Sequence, residues 1–359
     1  MASLNYIGSK KTMLPFLMHV IEPLLQENKR GRAFCDLFSG TGCVFGAVRD
    51  RAGVIVANDM ELYAYVIACA LLKCPYSHKL AVVIDQLNIC CGVDAGPGPA
   101  PGLVAKHFAS GGRMYFSFEN ACAIDGMRKG IAGLYERGAV SYHEFLFLLG
   151  SLITSASAVS NTCGTFRAHL KHMSGRAKKK FKLVPIHVGR ASAFAGAGAA
   201  AAAVYKKDAT RVPVPDGAVV YLDPPYNSAH YGAYYSFLNY LCLYDSSIAT
   251  CGTGTIPGYQ KSAFGLAKEC RAAFQKLIFK TCARAGYIVL SYSSAGIMGI
   301  RELLEMLEKR GQVTVYKVWY KAYCALKRNH KKNRNHVVEY IIVARCGVFG
   351  PTKRVWLKC

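Results

Sequence analysis

An apolar run, Ala33 to Phe38, ends in the glycine-bearing turn Ser39-Gly40-Thr41-Gly42, and this turn limits the fold more than any other feature. A buried strand that stops at such a turn and continues as a helix, Cys43 to Asp50, is half of a β–α unit. The unit repeats. Val54 to Ala57 reads as a second strand ending at Asn58-Asp59, and Glu61 to Lys73 reads as a second helix. Strand and helix alternating in this way predict a parallel, doubly wound, Rossmann-like α/β sheet. A helix over Lys10 to Glu27 precedes it, with an apolar stripe at Leu14, Leu17, Met18, Ile21, Leu24 and Leu25. Pro15 and Pro23 are expected to kink or divide that helix.

The pattern lapses and then returns. Residues 92–102 are rich in proline and glycine, which rules out a regular element there. Two helical stretches follow from Glu119 to about Ser160, then a basic run from Lys171 to Lys182. Residues 191–203 are almost entirely alanine, glycine and serine, with little power to specify structure. The alternation resumes with a strand at Ala218 to Leu222, another at Tyr287 to Leu290 and a helix near Arg301 to Lys309. Val313 to Trp319 and Val337 to Val343 are expected to close the sheet as an antiparallel hairpin. The chain therefore divides into one α/β unit, 1–73 with 201–359, interrupted by a mainly helical insertion, 74–200.

Composition narrows the partners. Hydrophobic residues make up 52%, which argues against disorder. Lysine and arginine number 45 against 21 acids, a net charge of +24, so the expected partner is a polyanion. A membrane is not expected. Met1 to Lys11 has no apolar stretch of a signal peptide, and Phe145 to Phe166 is broken by polar residues. The 15 cysteines show no C-x-x-C spacing and read as reduced thiols of an intracellular protein. His169 and His172 stand at metal-ligand spacing without a second pair, so no metal is expected.

The chemistry is concentrated in Asp223-Pro224-Pro225-Tyr226, at the end of an apolar strand. Ligands of doubly wound sheets sit at the carboxyl ends of strands. Two prolines fix φ and remove two donors, so their carbonyls are rigidly aimed. An exocyclic amine can give one hydrogen to the Asp223 carboxylate and the other to the Pro224 carbonyl. That arrangement draws the nitrogen lone pair out of conjugation and toward an electrophile. Tyr226 offers a ring face for an extruded base. Glycines Gly40 and Gly42 let a ligand approach the first turn closely. Asp59 follows Asp36 by 23 residues, where an acid binds the ribose hydroxyls of an adenosine-containing cofactor; it is equally placed to cap the next helix.

Together these residues resemble the D12-class adenine-N6 DNA methyltransferases, the family of the Dam and FokI-type enzymes. Asn5 to Lys11 is similar to the family's N-terminal motif, Phe38 to Gly42 to its cofactor loop, and Asp223 to Tyr226 to its catalytic tetrapeptide. Tyr115 to Ala121, Asn161 to Gly164, Asn227 to Tyr235 and Gly286 to Tyr292 resemble the FokI-like branch. The resemblance implies S-adenosyl-L-methionine as cofactor, with Tyr6 and Lys10 on its methionine part and Asp59 on its ribose. Asp36, Phe38, Gly40 and Gly42 complete the cofactor set. Asp208 is implied on the cofactor's adenine amine, although an exposed loop aspartate beside two lysines accounts for it equally.

The same resemblance implies that the helical insertion recognises double-stranded DNA. Arg167, His169, Lys171, Lys178, Lys179 and Lys180 are the candidate contacts, and Lys327 to Arg334 is a second basic cluster. A solvated loop is the plain alternative for both runs. A restriction endonuclease acting on the same sequence is the implied companion. Three other readings compete. One is a methyltransferase of cytosine N4 or RNA adenine. The second is an inactive DNA-binding protein on the same fold. The third is a different nucleotide enzyme using the same turn, which would need a phosphate-cradling lysine or metal ligands, and the sequence shows neither.

Overall fold

The computed structural model describes residues 4, 6–27, 32–93, 101–186, 201–228, 230–321 and 336–357. The strands are β1 (Ala33–Asp36), β2 (Val54–Asn58), β3 (Ala201–Tyr205), β4 (Val219–Leu222), β5 (Tyr287–Ser293), β6 (Gly311–Lys321), β7 (His336–Cys346) and β8 (Lys353–Leu357). They form one sheet in the order β3-β2-β1-β4-β5-β7-β6-β8. The first five are parallel. β7 runs antiparallel between β5 and β6 and supplies the expected closing hairpin, and β8 adds an outer parallel strand.

β1, β4 and β5 are buried along their whole length because helices cover both faces. On one face lie α1 (Leu14–Glu27) and α2 (Cys43–Val48), packed on Phe34, Ile55, Val219 and Val289. On the other lie α10 (Cys270–Cys282) and α11 (Ile300–Glu308), packed on Val220, Ile288 and Leu290. Pro23 sits inside α1 without ending it. Leu17, Val20, Ile21 and Leu25 bury one stripe of that helix, and this packing outweighs the local cost of proline. Pro15 occupies the first turn, where its missing N–H has no partner to lose.

The alanine-rich tail of the low-complexity stretch forms an element after all. Ala201 to Tyr205 pairs with Val54 to Asn58 as the sheet's edge. Backbone pairing is joined by Ala203, Val204 and Tyr205 packing on the neighbouring cores, a contact that side-chain patterning in so alanine-rich a stretch does not reveal. The remainder of that stretch, the core of the proline-rich loop and the run Lys327 to Arg334 lie outside the described residues.

Between β2 and β3 come α3 (Leu62–Leu72), α4 (His78–Cys91), α5 (Leu103–Phe108), α6 (Phe118–Glu136) and α7 (Tyr142–Ala158). Two helices after β4, α8 (Tyr231–Tyr234) and α9 (Ser236–Leu243), join them. The helical segment shares one apolar core with its flanks: Leu148, Leu152 and Ile124 cluster with Tyr63, Val66 and Ile67 of α3 and Phe237 and Leu241 of α9. No helix among the described residues is long and apolar enough to cross a membrane.

Asp125 organises this layer. It is fully buried in α6 and accepts from the backbone N–H groups of Gly102, Val104 and Ala105 at 2.8–3.0 Å. Tyr244 donates its hydroxyl to the same carboxylate at 2.6 Å. One side chain thus caps α5 and ties it to α6 and α9. Asp125→Ala leaves several buried donors unsatisfied and is expected to cost about 3 kcal/mol in urea unfolding. A loss below about 1 kcal/mol would show that the cap is dispensable.

Candidate active site

The turn after β1 is built around two left-handed glycines. Gly42 has φ +77°, and a Cβ there would lie 2.5 Å from the Phe45 ring, so no other residue fits. Gly40 has φ +48° and would press a Cβ to 3.3 Å from the Tyr6 ring. The Gly40 N–H donates to Asp59 Oδ2 at 2.8 Å, and the Glu61 N–H donates to Oδ1 at 3.0 Å. Asp59 therefore clamps the turn and supports the start of α3 at once. Asn58 fastens the same region, donating to the Leu37 and Lys207 carbonyls at 3.0 and 3.1 Å.

This turn forms one wall of a partly open cavity. Tyr6, Lys10, Asp36, Phe38, Gly40, Asp59, Asp223 and Pro225 all line it. They arrive from the N-terminal segment, the ends of β1 and β2, and the end of β4, so the parallel sheet brings together residues far apart in sequence. Gly42 shapes the turn without reaching the wall. Tyr6 stacks on Tyr235 at 4.5 Å and meets the Tyr63 hydroxyl at 3.0 Å.

Asp36 is 1% exposed, and its Oδ1 has no hydrogen-bond partner among the described residues. Burial, then the charges of Asp223 and Asp59, push its carboxyl up to about 8, against backbone N–H groups of Phe45 and Phe38. The Ser39 hydroxyl in the same wall is likewise buried and unpartnered among the described residues.

Across the cavity the end of β4 runs into Asp223-Pro224-Pro225-Tyr226, of which Asp223 and Pro225 line the wall. Lys10 Nζ pairs with Asp223 Oδ1 at 2.9 Å, and both side chains are largely buried. The ammonium also lies 5.5 Å from the centre of the Tyr226 ring. Burial raises the Asp223 pKa and Lys10 draws it back, with a net rise. Burial opposes the Lys10 charge, but Asp223 outweighs it and holds the ammonium above its ordinary value. Tyr226 is fixed edge-on to Tyr292 at 5.7 Å, and its carbonyl accepts from Ile297 N–H at 2.7 Å.

Residues 6–251 match the D12 class N6 adenine-specific DNA methyltransferases. The chain belongs to this family. It is 32% identical over 349 residues to the type II methyltransferase M.CviAII of Paramecium bursaria Chlorella virus 1, covering 95% of this chain and 98% of that one. It is 31% identical to M.NlaIII of Neisseria lactamica, over 94% of this chain and 99% of the relative. It is 30% identical to M.FokI of Planomicrobium okeanokoites, over 94% of this chain and 52% of that longer protein. The protein is thus an adenine-specific DNA methyltransferase, and methyltransferases in general draw on S-adenosylmethionine.

Other residues of this methyltransferase fall elsewhere. Asp208 is not part of the cavity wall; its Oδ1 accepts from Thr210 N–H and hydroxyl at 2.8 and 2.6 Å, and Ala209 lines the wall instead. Pro224 is buried and is not among the residues lining the cavity. Arg167 is exposed, with its guanidinium 5.3 Å over Tyr234 and donating to that hydroxyl at 3.1 Å. Its loop is pinned to the cavity rim: Phe166 N–H donates to the Tyr234 carbonyl at 2.7 Å and Tyr235 OH to the Gly164 carbonyl at 3.2 Å. His169 is half-buried edge-on to Tyr115 at 5.1 Å. Lys171, Lys178, Lys179 and Lys180 are exposed on the continuation of that loop. No group of three or more His, Cys, Asp or Glu among the described residues is arranged to hold a metal.

Glu339 was not legible in the sequence. Strand register sets it opposite Ser293, so it shares the face of Tyr221 and Asp223. It is buried, and burial raises its carboxyl to about 7 while Lys10 pulls the other way and Asp223 adds to the rise. Nothing local marks a glutamate in an apolar strand as part of a site until the pairing is known.

The Lys10–Asp223 pair carries a stability signature. Lys10→Met leaves Asp223 buried without its cation, a loss of about 3 kcal/mol at pH 8 in urea unfolding. Without Lys10 the Asp223 pKa rises further, so the carboxyl takes a proton more readily as pH falls. The penalty should shrink toward pH 5. An equal loss at both pH values would contradict the pairing.

Proposed function

We propose that this methyltransferase binds S-adenosylmethionine in the cavity between the Gly40 turn and Asp223, and methylates N6 of an adenine swung out of duplex DNA. The observation that carries this is the placement of Asp223: at the end of β4, in the wall of the cavity, with one oxygen held by Lys10. The cavity's chemistry fits the cofactor. Its unpartnered Asp36 oxygen suits an ammonium group, and Ser39 adds a second polar contact. Asp59 keeps lone pairs for ribose hydroxyls beyond those used on Gly40 and Glu61. Close backbone approach at Gly40 leaves room for the bound molecule. Asp208 shapes the turn that presents Ala209 to the wall.

S-adenosylmethionine supplies an electrophilic methyl group when bound. The protein's own part is positioning and electrostatics. Lys10 fixes Asp223 Oδ1, leaving the other oxygen to accept one hydrogen of the adenine amine. The Pro224 carbonyl accepts the second. Tyr226 presents a ring for the flipped base, held in place by Lys10 and Tyr292. The proton that the amine sheds meets a carboxylate whose proton affinity burial has already raised.

The helical segment, 74–200, with its loop Arg167 to Lys180, serves as the DNA-reading part. The exposed lysines contact phosphates, which position the duplex without specifying sequence. That loop is pinned to the cavity rim, which supports delivery of the base from there to Asp223. A companion restriction endonuclease with the same target fits relatives named as type II methyltransferases.

Purified protein given labelled cofactor and plasmid DNA should leave its label in N6-methyladenine after digestion to nucleosides. Asp223→Ala should lower the rate by about a hundredfold or more. Label in N4-methylcytosine, label taken up by RNA alone, or full activity in the variant would each overturn the proposal.

A further inference from the structure

The segment between α9 and α10 returns to the cavity at Gln260 and Ser262. It is held there from several sides. Gly265 approaches the Asn227 carbonyl so closely that a Cβ would lie 2.9 Å from it, which ties the segment to the stretch just after the catalytic tetrapeptide. Phe264 stands edge-on to Phe38 of the cofactor turn at 5.2 Å and to Phe274 of α10 at 5.1 Å. The Gly265 N–H closes the local turn on the Ser262 carbonyl at 3.0 Å. Ser262 is therefore fixed relative to both halves of the site.

Its hydroxyl is buried and has no hydrogen-bond partner among the described residues. A buried hydroxyl left without a partner weakens a fold. Three of the four such side-chain atoms among the described residues, on Asp36, Ser39 and Ser262, belong to residues lining this one cavity. Their concentration in a single wall points to a ligand that satisfies them together. Asp36 offers a carboxylate for a cation. Ser262 offers a group that both donates and accepts, as a nucleoside's ring nitrogens and hydroxyls require.

We infer that Ser262 is a cofactor-binding residue whose hydroxyl bonds the nucleoside portion of the molecule in the cavity. It rests on the cofactor assignment above, and it adds a contact from a segment beyond the 6–251 family match.

Calorimetry with S-adenosylhomocysteine on the full chain tests it, together with melting of the free protein. Ser262→Ala should raise Kd about tenfold, because the ligand then loses one buried hydrogen bond. The melting temperature of the free variant should stay level or rise, since an unsatisfied group has been removed. Adenosine as probe should show the same ratio. A Kd within twofold of the unaltered protein overturns the inference. So does a lowered melting temperature alongside weaker binding, which assigns Ser262 to folding. A loss seen with S-adenosylhomocysteine and not with adenosine overturns the nucleoside assignment. No binding by the unaltered protein overturns the cofactor assignment itself, and this inference with it.

Discussion

The ion pair between Lys10 and Asp223 joins the parts of this enzyme. Lys10 comes from the segment ahead of α1 and Asp223 from the end of β4, more than two hundred residues later. A carboxylate this buried is costly alone, and the ammonium is the counter-charge that permits it. The N-terminal segment is in this sense a working part of the site, since Tyr6, Gly8, Ser9 and Lys10 all form its wall.

The doubly wound sheet makes such a meeting possible. Parallel strands end on one side, so the turns after β1, β2 and β4 converge without any of their residues being neighbours in sequence. Left-handed Gly40 and Gly42 hold the first turn tight, and Asp59 and Asn58 lock it to the second. The helical layer then brings a basic loop to the rim through Tyr234 and Tyr235. Its lysines carry the charge suited to a polyanion, while the cavity wall carries several carboxylates with raised proton affinity.

Much of this was legible in the sequence. Local chemistry marks the Gly40 turn, Asp59 and Asp223 to Tyr226, because each needs a particular residue type at a strand end. The alternation of strands and helices was equally plain from Ala33 to Lys73. What stayed hidden depends on tertiary pairing. Ala201 to Tyr205 carries no side-chain pattern, yet it completes the sheet edge through its backbone. Glu339 sits in an apolar strand and gains meaning only from its register against Ser293. Ser262 looks like any loop serine until its hydroxyl is seen buried at the cavity. Asp208 shows the reverse: an acid in a suggestive place is engaged with Thr210, outside the wall.

The most direct test of this account is a crystal structure of the protein with S-adenosylhomocysteine. The ligand should span the cavity from the Gly40 turn to Asp223, with its ammonium on Asp36, its ribose on Asp59 and Lys10 still paired to Asp223. A ligand bound elsewhere, or one that draws Lys10 away from Asp223, would contradict the claim that this pair organises the site.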